Sequence, residues 1–309
     1  MRIVRDHSAV PPDARGASAA IGNFDGVHLG HQAVIAAAAG RDAAPLAVVT
    51  FEPHPREVFA PDAPPFRLMN AAARAHRLEK LGVDLLFELP FDTALAALTP
   101  EGFVDEVLAR GLGLGHTVVG ADFRFGKGRA GTAADLRRLG GAAGIDVTVA
   151  DLIETGGLEV SSTRIREALS DGRPEDAAAM LGHLHRIEGP VLHGEKRGRT
   201  LNYPTANMAL DGLHLPRLGV YAVQADVLTG PHTGTYDGVA SLGVRPMFGD
   251  NRPNLETFLF DFDGDLYGET LSVALVAYLR DEARFDSLTA LVAQMDADSA
   301  RARAMLAAR

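Results

Sequence analysis

The 309-residue sequence contains neither cysteine nor tryptophan. Without cysteine the chain forms no disulfide, thiolate zinc site or iron–sulfur cluster, and it has no cysteine nucleophile. Basic residues are also in deficit, since 30 Lys and Arg stand against 40 Asp and Glu. An acidic chain is a poor general ligand for nucleic acids, although local donors can still bind the phosphates of a small molecule.

Long hydrophobic runs are missing as well. No apolar stretch approaches the ~20 residues of a membrane span, and residues 1–12 have no apolar core of a secretory signal. We therefore expect a cytoplasmic protein with no membrane or nucleic-acid partner, and the sequence leaves open whether it forms a homo-oligomer. The length predicts about two domains.

The first part of the chain alternates β-rich apolar runs with alanine-rich helical segments. Strands are predicted at 17–21, 46–51, 84–89, 117–119 and 146–149. Helices are predicted at 30–39, 71–81, 101–110 and 132–139, and another begins near 161. This alternation is typical of a parallel sheet covered on both faces.

The pattern changes near residue 185, where strands begin to follow one another with turn signals between them. They are predicted at 186–192, 219–228, 236–243, 255–262 and 271–279, before a helix at 287–306. Such a series indicates an antiparallel sandwich or barrel closed by a C-terminal helix. The turn-forming residues between 170 and 183 predict two domains, 1–184 and 185–309.

The string GNFDGVHLGH, residues 22–31, lies between the first predicted strand and the first helix. Glycines there let backbone N–H groups approach a phosphate, and the helix start adds oriented donors. His28 and His31 are three residues apart, so on a helical turn they face the same way. Two imidazoles can stabilise charge that develops on a phosphoryl group.

Three further strings lie where a parallel strand ends or a helix begins, the edge at which open α/β sheets bind ligands. They are TFEPHP (50–55), GADFRFG (120–126) and SSTRIR (161–166). The last offers hydroxyls, helix N–H groups and guanidiniums, which suit phosphate oxygens. A capped helix with a solvated basic turn would use the same residues.

The C-terminal part carries a separate set of polar residues. A glycine loop with three cations, residues 193–199, suits a polyphosphate. It leads to Thr205 and Asn207, which are hard oxygen ligands that suit Mg²⁺. Glu256 shares strand parity with three phenylalanines, at 258, 260 and 262, so all four should point to one face. A carboxylate there could accept a proton from an attacking hydroxyl.

The H-L-G-H string at 28–31 resembles the signature of the nucleotidylyltransferase superfamily. With TFEPHP, GADFRFG and SSTRIR, it resembles the N-terminal half of the bacterial bifunctional riboflavin kinase/FAD synthetase family. The resemblance implies a Rossmann-like domain that transfers AMP from ATP to FMN. It implies ATP binding by Gly22, Asn23, Phe24, Asp25, His28, His31, Ser161, Ser162, Thr163 and Arg166. It implies flavin binding by Pro53, His54, Asp122, Phe123 and Phe125.

The strings GRTLNYPTANM, LETFLFDF, DLYG and LRDEARFDSLTALVAQMDAD follow the order of the riboflavin kinase domain of that family. The resemblance implies a six-stranded Greek-key β-barrel that phosphorylates riboflavin, with Glu256 as the catalytic base and Thr205 and Asn207 beside Mg²⁺. It implies ATP binding by His193, Gly194, Lys196, Gly198, Arg199, Thr205 and Asn207. It implies flavin binding by Arg280, Glu282 and Phe285.

Two positions depart from the family pattern. Asn202 stands where glycine is usual and Met247 where threonine is usual, and we expect the bulkier Asn202, beside the nucleotide loop, to alter the ATP affinity of the kinase. Two other functions stay open on sequence alone. The first domain could adenylylate or cytidylylate a different acceptor, and the barrel could bind flavin as a sensor without catalysis. GADFRFG argues against the first alternative, and intact Thr205, Asn207 and Glu256 argue against the second.

Overall fold

A computed structural model describes residues 1–41, 44–151, 154–155, 158–193, 203–247 and 250–309. The chain divides into two compact units. The first contains Met1–Pro64 and Arg74–Val160, and the second contains Pro65–Ala73 and Ser161–Arg309. The boundary predicted near residue 184 separates two functional domains rather than two compact units, and it stays a prediction.

The first unit is built on a parallel sheet with helices in the connections. Its strands are β1 (Arg2–Val4), β2 (Ser18–Ile21), β3 (Leu46–Glu52), β4 (Leu85–Pro90), β5 (His116–Gly120), β6 (Arg124–Phe125), β7 (Gly131–Thr132), β8 (Asp146–Ala150), β9 (Glu154–Thr155) and β10 (Leu158–Glu159). Its helices are α1 (Leu29–Ala39), α2 (Pro55–Phe59), α3 (Ala71–Lys80, whose first turn belongs to the second unit), α4 (Thr93–Ala97), α5 (Pro100–Gly102), a π-helix (Phe103–Leu112) and α6 (Ala133–Ala142).

The six-stranded sheet has the order β1-β4-β3-β2-β5-β8, and every neighbouring pair is parallel. All four residues of β2 are buried, as are most of β3 and β4. Continuous burial explains why these strands read as unbroken apolar runs, since helices cover both faces of a parallel sheet. The structure confirms the predicted parallel α/β fold of this part of the chain.

The helix predicted at 101–110 has a different geometry from the expected one. A single α-turn, Pro100–Gly102, runs directly into the π-helix Phe103–Leu112. The π-helix buries Phe103, Val107 and Leu112 among others, so its apolar stripe still faces the core. Apolar spacing therefore located the helix, but it could not distinguish the two hydrogen-bond patterns.

The second unit begins with two helices, α7 (Ser162–Ser170) and α8 (Pro174–Leu181). Leu68 packs with Ile165, Leu169 and Leu181, which explains why Pro65–Ala73 belongs to this unit. The α8 helix lies inside the segment that the sequence suggested as a domain boundary. Its proline is the first helical residue and Gly182 follows its end at φ 70, so both act as helix start and stop signals.

Six antiparallel strands form the rest of the second unit. They are β11 (Arg186–Pro190), β12 (Ala206–Ala209), β13 (Gly219–Val227), β14 (Gly234–Met247), β15 (Asp250–Leu259) and β16 (Thr270–Arg280), in the order β11-β16-β13-β14-β15-β12. An antiparallel bridge between Leu192 and Asn207 joins the two ends of the sheet. The predicted six-stranded barrel with a C-terminal helix, α9 (Leu288–Ala307), is confirmed. The short strand β12 was not predicted.

Alternate residues of the barrel strands face two separate cores. In β13, Tyr221 and Val223 point into the barrel, whereas Val220 and Ala222 pack under α9. Phe258 and Phe260 also lie on the α9 side. The prediction that residue 262 shares their face is wrong, because β15 ends at Leu259 and Asp261 has φ 53, after which Phe262 packs against the barrel interior.

None of the described helices is long and apolar enough to cross a membrane.

Candidate active sites

The loop between β2 and α1 lies at the carboxyl edge of the parallel sheet. Phe24 and Val27 have φ values of 52 and 44, in the left-handed region that non-glycine residues rarely adopt. Both side chains are almost completely buried, and Gln32 donates from Nε2 to the Val27 carbonyl at 2.8 Å. Burial and this hydrogen bond hold the backbone in a strained turn, which is typical of ligand-binding loops.

The two histidines of this loop form a stacked pair. Their ring centroids are 3.7 Å apart and the ring planes differ by 16°. His28 is the N-cap of α1, and its Nδ1 accepts from the His31 backbone N–H at 3.3 Å. A neutral His28 therefore carries its proton on Nε2, as a donor. Burial first, and the neighbouring His28 second, lower the pKa of His31 well below its usual value.

Gly30 makes the close stacking possible. A Cβ at this position would lie 3.1 Å from Cε1 of His28, which is tighter than an ordinary contact. The glycine of the H-x-G-H string thus leaves room for the first imidazole to turn back over the helix start. The Nδ1 atom of His31 is buried and has no hydrogen-bond partner among the described residues. The pair therefore presents imidazole N–H groups at a helix N-terminus.

A buried arginine supports the same loop from behind. Arg74 is 1% exposed, and its Nη2 atom contacts Glu52 at 2.9 Å and Glu88 at 3.1 Å. Its Nη1 atom donates to the Asn23 carbonyl at 3.4 Å, and Thr50 donates to the same oxygen at 3.2 Å. This network leaves no local pattern in the sequence, because its members lie in distant parts of the chain.

His54 has a visible structural role. It is the N-cap of α2, where its Nδ1 accepts from the Arg56 backbone N–H at 3.1 Å. Its own N–H donates to Glu57 Oε2 at 2.9 Å, which completes a capping box. Pro53 precedes it in the same turn. The flavin contacts expected of Pro53 and His54 stay predictions.

The GADFRFG turn follows β5. Asp122 is exposed, Phe123 is partly buried, and Phe125 belongs to the core of the first unit at 6% exposure. The rings of Phe123 and Phe125 stack with centroids 5.7 Å apart. Burial assigns Phe125 a packing role, and any flavin contact by these three residues stays a prediction.

The residues of the SSTRIR string begin α7 in the second unit. Ser161 is the N-cap, accepting from the Arg164 backbone N–H at 3.4 Å, and Ser162 and Thr163 follow in the first turn. Arg166 donates from Nε to the Phe66 carbonyl at 2.6 Å, and its guanidinium lies 5.4 Å from the Phe66 ring centroid. The role of Ser161, Ser162, Thr163 and Arg166 in ATP binding stays a prediction.

The second unit contains a cavity of about 560 Å³ between the outer face of the barrel, α9 and the segment before α9. Five residues singled out in the sequence line it, namely Thr205, Glu256, Arg280, Glu282 and Phe285. These residues come from three separate stretches of the chain. Asn207 is paired with Glu256 across β12 and β15, beside the cavity wall, and its side-chain amide donates to the Thr205 carbonyl at 3.2 Å.

An ion pair holds Arg280 at one end of this cavity. Asp298 of α9 accepts from Arg280 Nε at 3.0 Å and from Nη2 at 2.7 Å, and Gln294 donates to the same carboxylate at 2.9 Å. The Arg280 guanidinium lies 5.8 Å from the Phe285 ring centroid. The sequence did not single out Asp298, which lies with Ala302 and Leu306 on the buried side of α9.

Tyr203 is a second lining residue that the sequence did not single out. Its hydroxyl donates to Asp296 of α9, and its ring centroid lies 4.6 Å from that of Phe258. Burial first, and the hydrogen bond to Asp296 second, raise the pKa of this phenol. Tyr203 thus connects the segment that carries Thr205 to the C-terminal helix.

The basic glycine loop is mostly outside the described residues. Gly194, Lys196, Gly198 and Arg199 lie there, as does Asn202. His193 is described and exposed, with its ring centroid 4.1 Å from that of Tyr267.

Thr205 and Asn207 fit a divalent metal that is bound together with a nucleotide. The described part of the chain has no group of three or more His, Cys, Asp or Glu residues that could hold a metal ion. A hydroxyl and an amide oxygen supply one or two hard ligands, and Mg²⁺ usually completes its shell with waters and substrate phosphates. Enzymes that transfer phosphoryl or nucleotidyl groups from ATP generally need such a divalent metal.

Two stretches of the chain match known protein families. Residues 10–164 match the family model of FAD synthetase, and residues 181–306 match that of riboflavin kinase. The two domains therefore follow one another in that order.

Close relatives cover almost the whole chain. A bifunctional riboflavin kinase/FMN adenylyltransferase from Pseudomonas fluorescens is 43% identical over 99% of this chain and 98% of its own. The protein of the same name from Escherichia coli K12 is 39% identical over 98% and 97%. A crystal structure described as a macrolide-efflux protein from Streptococcus pneumoniae superposes with a TM-score of 0.81 at 33% identity, covering 96% of both chains. The chain belongs to the family of bifunctional riboflavin kinase/FMN adenylyltransferases.

Proposed function

We propose that the chain makes FMN from riboflavin at the cavity of the second unit, and FAD from FMN at a separate site that includes the β2–α1 loop. The observation that carries this proposal is the convergence of Thr205, Glu256, Arg280, Glu282 and Phe285 on one cavity. A carboxylate, a cation and an aromatic ring thus meet beside a hydroxyl suited to Mg²⁺. The match to the FAD synthetase family supports FMN as the acceptor of the second reaction.

In the kinase reaction, Glu256 accepts the proton of the terminal ribityl hydroxyl as that oxygen attacks the γ-phosphorus of ATP. The bond from the γ-phosphorus to the bridging oxygen breaks, and ADP leaves. Arg280, Glu282 and Phe285 border the flavin, and Asp298 holds the Arg280 guanidinium in place. Thr205 and Asn207 hold Mg²⁺ and ATP, and the metal supplies charge neutralisation at the phosphates.

In the adenylylation reaction, a phosphate oxygen of FMN attacks the α-phosphorus of ATP, and pyrophosphate leaves. The reaction needs no protein nucleophile, so positioning and electrostatic stabilisation carry it. His28 and His31 donate hydrogen bonds to the phosphoryl oxygens. Burial favours the neutral form of His31, so we expect this residue to act as a hydrogen-bond donor rather than as a cation.

The substrates in this proposal are ATP, riboflavin and FMN, and the metal is Mg²⁺. We place the enzyme in the cytoplasm. All are small molecules, which suits an acidic chain whose phosphate contacts come from loops, helix starts and a few cations.

The proposal is tested with three variants of the full chain, each incubated with ATP and Mg²⁺ while riboflavin, FMN and FAD are resolved over time. Glu256→Gln should lose FMN formation from riboflavin but still convert supplied FMN to FAD. His28→Ala should lose FAD formation but still make FMN. Glu175→Gln, an exposed residue of α8 away from the cavity, is the matched control and should keep both activities.

Two results would contradict the proposal. If Glu256→Gln made FMN at the parental rate, the assigned base would be wrong. If Glu256→Gln and His28→Ala each reduced both activities equally, the two reactions would not use separate sites.

A further inference from the structure

Asn254 lies two residues before Glu256 on strand β15, so the two side chains point to the same face of the sheet. The asparagine is 3% exposed. Its partner on β12 is Ala209, and its partner on β14 is Gly243. Neither neighbour has a polar side chain, so the Asn254 amide must find its hydrogen bonds along the strand or diagonally across it.

The amide nitrogen of Asn254 makes these contacts. It donates to Glu256 Oε1 at 3.1 Å, and it lies 3.5 Å from Asn207 Oδ1. One NH₂ group has two protons that point in different directions, so it can hold two acceptors at once. Asn254 therefore bridges the carboxylate assigned as the base and the amide oxygen assigned to Mg²⁺ and ATP.

The oxygen of the same amide is buried and has no hydrogen-bond partner among the described residues. A buried, unpaired acceptor is unfavourable and calls for an explanation. Here the explanation is geometric, because turning the amide to satisfy its oxygen would remove the nitrogen from both acceptors. The orientation is thus set by Glu256 and Asn207 rather than by the packing around Asn254.

We infer that Asn254 is a positioning residue of the kinase site, which fixes Glu256 and Asn207 relative to each other. The inference rests on the proposed roles of these two residues. A neutral amide suits this task because it stabilises an ionised carboxylate without adding a charge. The cavity is already lined by Arg280 and by three other carboxylates, at Glu282, Asp286 and Asp298.

The space beside Asn254 explains why a charge there would be disruptive. A Cβ on Gly243, its cross-strand neighbour, would lie 2.4 Å from Glu282 Oε1. The Glu282 carboxylate thus occupies the room that Gly243 leaves. An aspartate at position 254 would bring a carboxylate within hydrogen-bond distance of Glu256, on the strand position paired with Gly243.

Two variants of the full chain test the inference, Asn254→Ala and the isosteric Asn254→Asp. We expect Asn254→Ala to lower kcat/KM for riboflavin phosphorylation by about 10- to 100-fold, as losses of orienting partners do. The Mg²⁺ concentration for half-maximal rate should also rise, since Asn207 loses its partner. Asn254→Asp should move the acid limb of the kinase pH profile to higher pH, because neighbouring carboxylates then share a proton.

The adenylylation of supplied FMN by the same chain is the internal control and should stay at the parental rate in both variants. Tyrosine emission reports the folding of the second unit, because all five tyrosines lie between residues 203 and 278. If Asn254→Ala does not fold, Asn254→Asp carries the test, since it preserves the size of the side chain and replaces the amide donor with a carboxylate oxygen. A purely structural role would lower stability without moving the Mg²⁺ dependence or the pH profile.

Glu256→Gln, measured in parallel, distinguishes a wrong assignment of the base from a wrong assignment of Asn254. If Glu256→Gln keeps kinase activity, the proposed base is wrong, and the inference about Asn254 falls with it. If Glu256→Gln is inactive while both Asn254 variants keep the parental kcat/KM, Mg²⁺ dependence and pH profile, the inference alone is overturned.

Discussion

Replacing Arg74 with methionine tests how the first unit holds its phosphate-binding loop. Methionine fills similar space but removes the charge that lies between Glu52 and Glu88. Glu88 is 4% exposed and also contacts Arg5 at 3.0 Å, whereas the Glu52 side chain is 29% exposed. After the substitution, the buried Glu88 carboxylate keeps one ion-pair partner among the described residues. That partner is Arg5, whose side chain is largely exposed.

The cost follows from the burial of the pair. Removing one partner of a buried ion pair destabilises a protein by about 3–5 kcal/mol, because the remaining charge is left uncompensated. Since the Arg5 contact persists, we expect a loss near the lower limit, about 3 kcal/mol, in the free energy of unfolding of the first unit. Asn23 also loses a donor to its carbonyl oxygen, so the KM for ATP in FMN adenylylation should rise.

A second substitution separates stability from loop position. Adding Glu88→Gln to Arg74→Met removes the uncompensated charge, so most of the lost stability should return. The contact from Arg74 to the Asn23 carbonyl does not return, so the KM for ATP should stay high. Arg74→Lys, which keeps the charge but lacks the planar fork, should fall between the parent and the methionine variant.

Urea unfolding followed by circular dichroism measures the loss, while tyrosine emission reports the second unit separately. Riboflavin phosphorylation should stay at the parental rate in every Arg74 variant. If Arg74→Met lowered the unfolding free energy by less than about 1 kcal/mol, the range of an exposed ion pair, the buried charges would not stabilise the first unit as expected. If the double variant regained the parental KM for ATP, the Arg74 contact with the Asn23 carbonyl would not position the loop.

Three further results are expected. Burial, and then the neighbouring His183 and His214, lower the pKa of His185 to about 3, so its protonation favours the unfolded chain as the pH falls below its usual pKa. Between pH 7 and pH 5 this should remove about 2 kcal/mol of stability from the second unit; His185→Leu should lose that part of the pH slope in urea unfolding followed by tyrosine emission. Asp298→Asn should raise the KM for riboflavin more than it lowers kcat, because Arg280 loses an ionised partner worth about 1.5–3 kcal/mol; an unchanged KM in steady-state assays would contradict this. Chelation of divalent metal with EDTA should stop FMN and FAD formation, and added Mg²⁺ should restore both; persistence of either activity after chelation would exclude a metal requirement for that reaction.

The sequence by itself determined the class of each half of the chain. The spacing of apolar residues located the parallel strands and the barrel strands. A strand buried on both faces is a continuous apolar run, and a strand buried on one face alternates apolar and polar residues. Motif order indicated the family, which the comparisons confirmed. Thr205, Glu256 and Arg280 were singled out in this way, and the structure places them around one cavity.

The tertiary structure alone decided the contacts between distant residues. Arg74 and Asn23 are 51 residues apart, and Asn254 and Asn207 are 47 apart. Residues so far apart in the chain leave no periodic pattern in the sequence, because each pairing depends on how strands and helices are aligned in space. The same reason explains why the sequence did not predict that Pro65–Ala73 belongs to the second unit or that Arg280 pairs with Asp298. Local chemistry thus determined which groups are present, and non-local packing determined which of them are held together.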